Sequence, residues 1–372
     1  MPSQTTRRRA LGMAGGAIAA ALAGCTSAVP GMQSGDGGGP TTTARPKVDP
    51  GATTIGMLYA TGGLGDESFN DMANRGVKKA RVEFGVEYKN EVPAKVEDMG
   101  KLQTQYAEST DPAFDLTVCV GFLQQSSLKK VSKEHPDQQF MLIDSVVQRD
   151  NVANYTFKEH EGSFQVGHLA GLLTNQGFSA GAGQTRLDRK TVGFVGGVES
   201  GLIEKFEAGF KAGVAHADEN VEVLTSYVGS FADAEGGKAA AQKMYDDGAD
   251  IVYHAAGGSG IGVFQAAQEN GRFAIGVDSD QSASDPRYAN VILASMVKRV
   301  DTAVFQAIEN VHNDEFGGGS ITSLGLEQNG VKAVYGSPVG EEIPDGVKSK
   351  LDDSRQAIIG GSIDVPSTME EN

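Results

Sequence analysis

The 372-residue chain has no tryptophan, two cysteines and six histidines. Two cysteines form at most one disulfide, which excludes a disulfide framework as the source of stability. His160 and His168 lack the further Cys or His ligands of a metal site, so we expect no metal. The sequence also has no Gly-x-Ser-x-Gly nucleophile elbow and no P-loop Lys-Ser/Thr. We therefore expect no catalytic residues, no cofactor and no enzymatic activity.

Basic residues are scarce, at 32 Lys and Arg against 48 Asp and Glu, and the formal net charge is -16. Such a surface repels the phosphates of nucleic acid and the headgroups of anionic lipid. Nucleic acid is thereby excluded as a partner, and any attachment to a membrane needs another cause.

Long apolar runs are also missing, because the apolar stretch at 10 to 23 is too short to span a bilayer. Three arginines precede it, and Gly24 and Cys25 follow it. This order predicts an export signal over 1 to 25, with T-R-R-R-A-L resembling a twin-arginine signal and L-A-G-C resembling a lipobox. We expect a lipid on Cys25 and a location on the outer face of the cytoplasmic membrane. The alternative is an ordinary membrane anchor with an incidental cysteine.

Residues 26 to 52 are rich in Ser, Gly, Thr and Pro, a composition that cannot bury enough surface to fold. They are predicted to form a flexible tether. With Cys25 acylated, Cys119 has no partner in the chain, and its apolar neighbours in L-T-V-C-V favour a core position over a reactive thiol.

From residue 53 onward, short apolar runs alternate with helical patterns, which is typical of βαβ units and a parallel sheet. The predicted strands are 54 to 60, 116 to 120, 139 to 144, 191 to 196, 221 to 228, 250 to 256, 273 to 278, 289 to 294, 320 to 324 and 331 to 335. The clearest predicted helices are 69 to 83, 99 to 109, 162 to 173, 203 to 215, 234 to 247, 260 to 270 and 300 to 311.

The alternation restarts at residue 191, which indicates an α/β chain of two doubly wound parallel-sheet lobes. A helix that follows the second lobe but belongs to the first would make the chain cross between the lobes three times, so the lobes are joined by a multi-segment hinge. The predicted boundaries are 53–155 plus about 279–318 for lobe 1, 156–278 plus about 319–360 for lobe 2, and 361–372 for a tail.

Ligands of open parallel sheets bind beyond the carboxyl ends of the strands, so residues that follow strands are the candidates for a site. Phe69 and Phe231 lie in such loops, one in each lobe. Two facing rings would clamp a flat ligand when the lobes close, or each ring could plug its own lobe. Phe206 and Phe210 share a helix face with Ile203 and are predicted to be core.

Polar residues at the same strand ends suit a sugar and a base. Asp278 could accept hydrogen bonds from two sugar hydroxyls or cap a turn, and Lys298 could donate to the same sugar, neutralise Asp278 or be a surface charge. Asp144 could accept from a ring nitrogen or amine, or serve as a turn residue.

The first helix also carries polar candidates at its start. Asp66 and Ser68 suit helix caps, whereas Asn70 can read a base edge. The glycine loop A-A-G-G-S-G-I-G, which contains Gly257 and Gly258, is interpreted as a close approach of backbone to ligand.

Several motifs together resemble one known family across most of 53 to 335. They are G-x-x-D-x-S-F-N at 63 to 70, N-Y-T-F-K-E-H-E-G-S-F from 154, F-x-A-G-F-x-A-G-V at 206 to 214, G-S-F-A-D at 229 to 233, G-V-D-S-D-Q at 276 to 281 and S-M-V-K at 295 to 298. In this pattern the chain resembles the basic membrane protein family, the PnrA-like substrate-binding lipoproteins.

The resemblance implies a type I periplasmic-binding-protein fold, a lipid anchor and purine nucleosides delivered to an ABC permease and its ATPase. Carried over by motif, Phe69 and Phe231 would sandwich the base and Asn70 and Asp144 would read its edge. Asp278, Lys298 and the backbone of Gly257 and Gly258 would hold the ribose. The alternatives are a receptor or sensor for another small molecule, such as a sugar, and a nucleoside hydrolase.

Overall fold

The computed structural model describes residues 52–369. The predicted export signal, Cys25 and nearly all of the predicted tether lie outside the described residues, as do the last three residues of the predicted tail.

Strands and helices alternate along the described chain. The strands are β1 (Thr54–Leu58), β2 (Glu87–Glu91), β3 (Leu116–Cys119), β4 (Phe140–Ile143), β5 (Val152–Phe157), β6 (Ser179–Ala180), β7 (Gly183–Gln184), β8 (Thr191–Gly196), β9 (Glu222–Tyr227), β10 (Ile251–Ala255), β11 (Phe273–Asp278), β12 (Ile292–Lys298), β13 (Ile321–Leu324) and β14 (Val331–Tyr335). The helices are α1 (Phe69–Phe84), α2 (Met99–Ala107), α3 (Gln125–Glu134), α4 (Glu159–Thr174), α5 (Gly201–Ala217), α6 (Ala234–Asp246), α7 (Gly260–Asn270), α8 (Gln281–Ser284), α9 (Val300–His312) and α10 (Asp345–Ile359).

The strands form two six-stranded sheets of matching order, β13-β5-β4-β3-β1-β2 in lobe 1 and β14-β12-β11-β10-β8-β9 in lobe 2. The first sheet is parallel throughout, whereas β14 runs antiparallel to β12 at the edge of the second. The inner strands are fully buried because helices cover both faces of each sheet. The predicted α/β fold of two doubly wound lobes is confirmed.

Three crossings join the lobes, as the sequence predicts. The chain passes from β5 into α4, from β12 into α9 and from β13 into β14. Helix α9 returns to lobe 1 and packs on α1, where the rings of Phe84 and Phe305 are in contact at a tilt, with centroids 5.2 Å apart. Three crossings near one another restrict the lobes to a hinge motion.

Strand pairing differs from the predicted lobe boundaries in the last third of the chain. The stretch at 279–318 is predicted in lobe 1, but β12 within it pairs with β11 of lobe 2. The stretch at 319–360 is predicted in lobe 2, but β13 within it pairs with β5 of lobe 1. The sequence of a short strand does not indicate which sheet it joins, because strand pairing depends on contacts between residues far apart in the chain.

Some elements have weak sequence signals. The second strand of lobe 1, implied by the βα order, is β2, whose sequence E-Y-K-N-E shows no apolar run because it is an exposed edge. The sequence predicts no element at β5, because the polar Asn154 and Thr156 interrupt its apolar run. The strand predicted at 289 to 294 begins at Ile292 and extends to Lys298.

Candidate functional site

A cleft between the lobes lies at the carboxyl ends of both sheets, where the strand-end rule places a ligand. About 640 Å³ of space that is not filled by protein atoms lies in this cleft, and part of it is open to solvent. Its lining residues come from both lobes: Ala60, Gly62, Asp66, Phe69, Asn70, Gly121, Phe122, Leu123, Asp144, Leu202, Ile203, Phe206, Phe231, Ala255, Gly257, Val277, Asp278 and Lys298.

Each of the two predicted clamp rings rests on a glycine at a strand end. Phe69 lies over Gly121, where a Cβ atom would come within 3.3 Å of the ring. Phe231 lies over Gly197, where a Cβ atom would overlap the ring. Both rings line the cleft, one from each lobe. Glycine at these positions lets each ring approach the backbone closely.

The loop before α1 is organised by Asp66. Its carboxylate accepts hydrogen bonds from the backbone N–H of Ser68 (3.0 Å), Asn70 (2.9 Å) and Asp71 (3.2 Å). Asp66 therefore caps the helix, as predicted, while also lining the cleft. The Asn70 amide donates to Asp66 Oδ2 at 3.0 Å and its oxygen accepts from the Ala60 N–H at 2.9 Å. This network fixes the orientation of Asn70 at the cavity wall.

Ser68 stands at the N-cap position of α1, but its side chain makes no capping hydrogen bond within the described part of the chain. The prediction that its side chain caps the helix is wrong. Its hydroxyl instead donates across the cleft to Asp278 Oδ2 at 2.5 Å. The reason is that Asp66 already satisfies the first helical N–H groups, which frees the hydroxyl for the opposite lobe. Asp278 is 5% exposed and lines the cavity.

Lys298 is buried, with 1% of its surface exposed, so the surface-charge alternative is excluded. Its ammonium lies 2.6 Å from Asp144 Oδ2 and 3.2 Å from Glu159 Oε1. It also faces the rings of Phe69 and Phe157, each with its centroid 5.0 Å away. Its direct ion pairs are with Asp144 and Glu159, whereas its charge acts on Asp278 without a salt bridge and lowers the pKa of that carboxyl against the larger, opposite effect of burial.

A protein-family model described as ABC transporter substrate-binding protein, PnrA-like (Bmp) matches residues 52–369. The chain belongs to this family. It is 35% identical over 331 residues to the CD4+ T-cell-stimulating antigen of Listeria innocua, covering 84% of this chain and 88% of that protein. It is 31% identical over 320 residues to basic membrane protein A of Borreliella burgdorferi, covering 84% and 88%. An uncharacterized lipoprotein of Pyrococcus abyssi is 35% identical over 334 residues, covering 87% and 75%.

Solved structures of the same fold include solute-binding proteins. The crystal structure of an ABC transporter system solute-binding protein from Aeropyrum pernix K1 has a TM-score of 0.75 at 29% identity, covering 86% of this chain and 94% of that one. A second, from Conexibacter woesei, has a TM-score of 0.67 at 21% identity, covering 86% and 100%, and shows the fold alone. The Bmp-family chain thus has the type I periplasmic-binding-protein fold and is a substrate-binding protein of an ABC transporter.

Three carboxyl groups of this Bmp-family cleft have raised pKa values because burial disfavours their charged form. Burial raises the pKa of Asp278 to about 7, against the opposing effects of the Lys298 charge and the Ser68 hydrogen bond. Burial also raises the pKa of Asp66 and Asp144 to about 6. The pKa of Lys298 is raised, since its carboxylate neighbours outweigh the opposing effect of burial. The cleft is therefore rich in hydrogen-bond acceptors, and the buried ammonium of Lys298 is paired with the carboxylates of Asp144 and Glu159.

The same geometry occurs at matching places in the two lobes. Asp144 follows β4 and Asp278 ends β11, which are the third strands of their sheets. Both adopt left-handed backbone, with φ of 67° and 64°. This conformation is uncommon for a residue with a side chain, and Asp is among the residues that tolerate it. Backbone strain of this kind tends to persist at functional sites.

The structure brings the predicted residues together, with two exceptions. Phe69, Asn70, Asp66, Asp144, Phe231, Gly257, Asp278 and Lys298 all line the cavity. Ser68 and Gly258 do not line the cavity, but each contacts a residue that does. Ser68 bonds Asp278, and a Cβ atom at Gly258 would lie 3.8 Å from Asp66 Cβ. Their roles in binding remain predictions.

Sequence reasoning missed residues on α5 and α4. Phe206, predicted as core, is buried and also lines the cleft beside Leu202 and Ile203. The available signal was the position of α5 directly after β8, because the first turns of such a helix face the ligand end of the sheet. No sequence signal marks Glu159, because its contact with Lys298 joins two residues that are far apart in the chain.

The lobes touch at the mouth of the cleft. The backbone carbonyl of Glu67 in lobe 1 accepts from Ser279 Oγ (2.6 Å), Gln281 Nε2 (3.2 Å) and Ser284 Oγ (3.3 Å) of lobe 2. These bonds can form only when the lobes are together, so this is a closed arrangement. Within residues 52–369 there is no group of three or more His, Cys, Asp or Glu side chains suited to a metal ion.

Proposed function

We propose that the chain captures purine nucleosides between its lobes and delivers them to an ABC importer without converting them. The observation that carries this proposal is the pair of rings, Phe69 and Phe231, which enter one cavity from opposite lobes. A purine is a flat aromatic ligand, and stacking on side-chain rings contributes about 1–3 kcal/mol per base. A sugar alone has little use for two opposed rings.

The polar groups of the cleft support a neutral ligand with several donors. Asp144 Oδ1 is buried and has no hydrogen-bond partner among the described residues, so a ligand N–H could satisfy it. Asp278 offers a second carboxylate, suited to accept from adjacent ribose hydroxyls. Lys298 is matched by Asp144 and Glu159, which leaves no spare positive charge for a phosphate. A nucleoside fits these features better than a nucleotide.

Capture and closure are linked in this proposal. Ligand touches both rings only when the lobes are together, so its binding favours the closed arrangement. The bonds to the Glu67 carbonyl and the Ser68–Asp278 contact then form across the rim. The permease would recognise the closed pair of lobes.

A lipid on Cys25 is proposed as the anchor, with export by the twin-arginine route. The naming of the Pyrococcus abyssi relative as a lipoprotein supports it. No helix among residues 52–369 has the length and apolar character needed to cross a bilayer.

The testing experiment is isothermal titration of the chain carrying Cys25→Ser with adenosine, guanosine, inosine, cytidine and ribose. We expect the purine nucleosides to bind and to be recovered without chemical conversion. We expect Phe231→Ala to lower their affinity by about tenfold or more. The altered cysteine should also release the protein from the membrane fraction. Binding of ribose but of no purine nucleoside would contradict the proposal.

A fluorescence control uses the absence of tryptophan from the chain. Phe231→Trp places a single reporter in the cleft, whose emission a stacked purine should quench. Phe316→Trp places the reporter at a partly buried position that does not line the cleft and should give no response.

A further inference from the structure

The acidic side chain of Glu159 occupies a place that nucleoside binding does not by itself explain. Glu159 is fully buried at the start of α4, immediately after the first crossing between the lobes. Its Oε1 lies 3.2 Å from Lys298 Nζ and its Oε2 lies 3.6 Å from Lys205 Nζ. Neither oxygen has a geometrically sound hydrogen bond within the described chain. A buried carboxylate that has charged neighbours but no hydrogen bond lowers the stability of the fold, because its desolvation is not fully compensated.

The neighbours of Glu159 connect it to the cleft. Lys298 ends β12 at the second crossing, so the ion pair joins two of the three hinge segments. The same ammonium binds Asp144 Oδ2 at 2.6 Å and faces the Phe69 ring. Asp144 and Phe69 line the cavity, whereas Glu159 does not. Glu159 therefore acts on the cavity through Lys298.

We infer that Glu159 is a positioning residue for ligand recognition, which holds the Lys298 ammonium toward the hinge and so keeps Asp144 Oδ1 open to a ligand N–H. The inference rests on the proposed function. The ammonium already lies 2.6 Å from Asp144 Oδ2. Without the Glu159 charge it would shift further toward Asp144 Oδ1, where it would compete with the ligand.

Charge at Glu159 also contributes to the pH at which Asp144 becomes an acceptor. Burial is the main cause of the raised pKa of Asp144, the negative charge of Glu159 raises it further, and the positive charges of Lys298 and Lys205 lower it. The ionised form of Asp144 accepts the ligand N–H, so affinity is lost as pH falls through about 6. The charged and titratable groups around the pair are Lys298 on β12, Lys205 on α5, Asp278 on β11, Tyr253 on β10 and His160 beside Glu159.

The test is the pH dependence of adenosine or guanosine affinity, whichever binds more tightly, for the full chain carrying Cys25→Ser. Glu159→Gln keeps the shape and removes the charge, so we expect weaker binding at pH 7.5 and an acid midpoint moved to lower pH. Lys205→Gln removes a charge of the opposite sign at a partly exposed position, and should move the midpoint to higher pH. Because that site is partly exposed, this second variant stays informative if Glu159→Gln folds poorly.

Glu161→Gln is the matched control. Glu161 is on the same helix, pairs with Lys158 at 2.9 Å and accepts from the Leu326 N–H at 2.8 Å. It is not among the charges that shift the pKa of Asp144. We expect it to keep the wild-type midpoint. Shifts of the acid midpoint in opposite directions in the two test variants support the inference. Superimposed affinity–pH curves for all variants overturn the inference and leave the proposed function standing. An equal shift in Glu161→Gln also overturns it, as general hinge damage. If the wild-type protein binds no purine nucleoside at any pH, both the proposed function and this inference are wrong.

Discussion

At the scale of single residues, the cleft is built from acids held in unfavourable surroundings. Asp278 is buried, adopts left-handed backbone and receives the Ser68 hydroxyl at 2.5 Å. Such a carboxylate is retained at a cost in stability, because its charged form is poorly solvated. Ligand hydroxyls would relieve part of that cost, which links stability and affinity at the same group.

Asp278→Asn is expected to stabilise the ligand-free protein at pH 8 and to weaken ligand binding. The folded pKa of about 7 lies above the ordinary value of 3.8, so protonation stabilises the fold. That stabilisation is complete below the ordinary value and is lost as pH rises through about 7. The variant should therefore melt about 3 °C higher than wild type at pH 8, and the difference should vanish by pH 4. Equal differences at both pH values, measured by calorimetry, would contradict this account.

At the scale of elements, α4 and α5 pack with their backbones in contact. Gly167 and Gly171 on α4 lie against α5, and Gly209 and Gly213 on α5 lie against α4. A Cβ atom at any of these positions would press on the backbone or side chains of the facing helix. This packing holds Glu159 at the start of α4 beside Lys205 on α5. Two helices of lobe 2 thereby fix the hinge side of the ion network.

Gly213→Ala is expected to destabilise the fold by about 1–3 kcal/mol, because the new methyl group would overlap the Phe164 carbonyl oxygen. Gly201→Ala is the control. It lies on the same helix, its Cβ position has no atom of the described residues within 4 Å, and its effect should stay within about 0.5 kcal/mol. Urea unfolding midpoints measure both. Because alanine favours the helix over glycine, a similar loss in both variants would show that close packing at Gly213 does not set the effect.

At the scale of the whole molecule, the closed arrangement depends on few direct bonds. The Glu67 carbonyl and the Ser68–Asp278 pair account for the polar contacts described at the rim, and all of them lie beside the ligand cavity. Closure without ligand leaves the Asp278 charge buried. We therefore expect ligand to shift the population toward the closed arrangement.

Spin labels on Leu64→Cys in lobe 1 and Ala232→Cys in lobe 2 should report this shift. Both positions are exposed at the cleft side of their lobes, and Cys119 is fully buried and should remain unlabelled. In a chain that also carries Cys25→Ser, a purine nucleoside should shorten and narrow the distance between the labels. The same pair with Phe231→Ala should respond only at higher ligand concentration. A distance distribution unaffected by saturating ligand would contradict closure by ligand.

Much of the fold and site follows from local sequence. Strands β8, β11 and β14 have the predicted bounds, and the apolar runs of β8 and β11 are fully buried. Most of the predicted site residues line one cavity, because strand ends of a parallel sheet meet at one edge. The edge strand β2 gave no pattern, and the lobe membership of β12 and β13 required knowledge of their partners.

By itself, the sequence determined the α/β alternation, the two lobes and the edge at which ligand residues collect. These features depend on periodicity and strand ends, which are local properties of the chain. Tertiary structure alone decided that Ser68 bonds Asp278, that Lys298 pairs with Asp144 and Glu159, and that Phe231 rests on Gly197. Those contacts join residues far apart in sequence and on different elements, so their partners are set by how the lobes and helices pack, which no local pattern encodes.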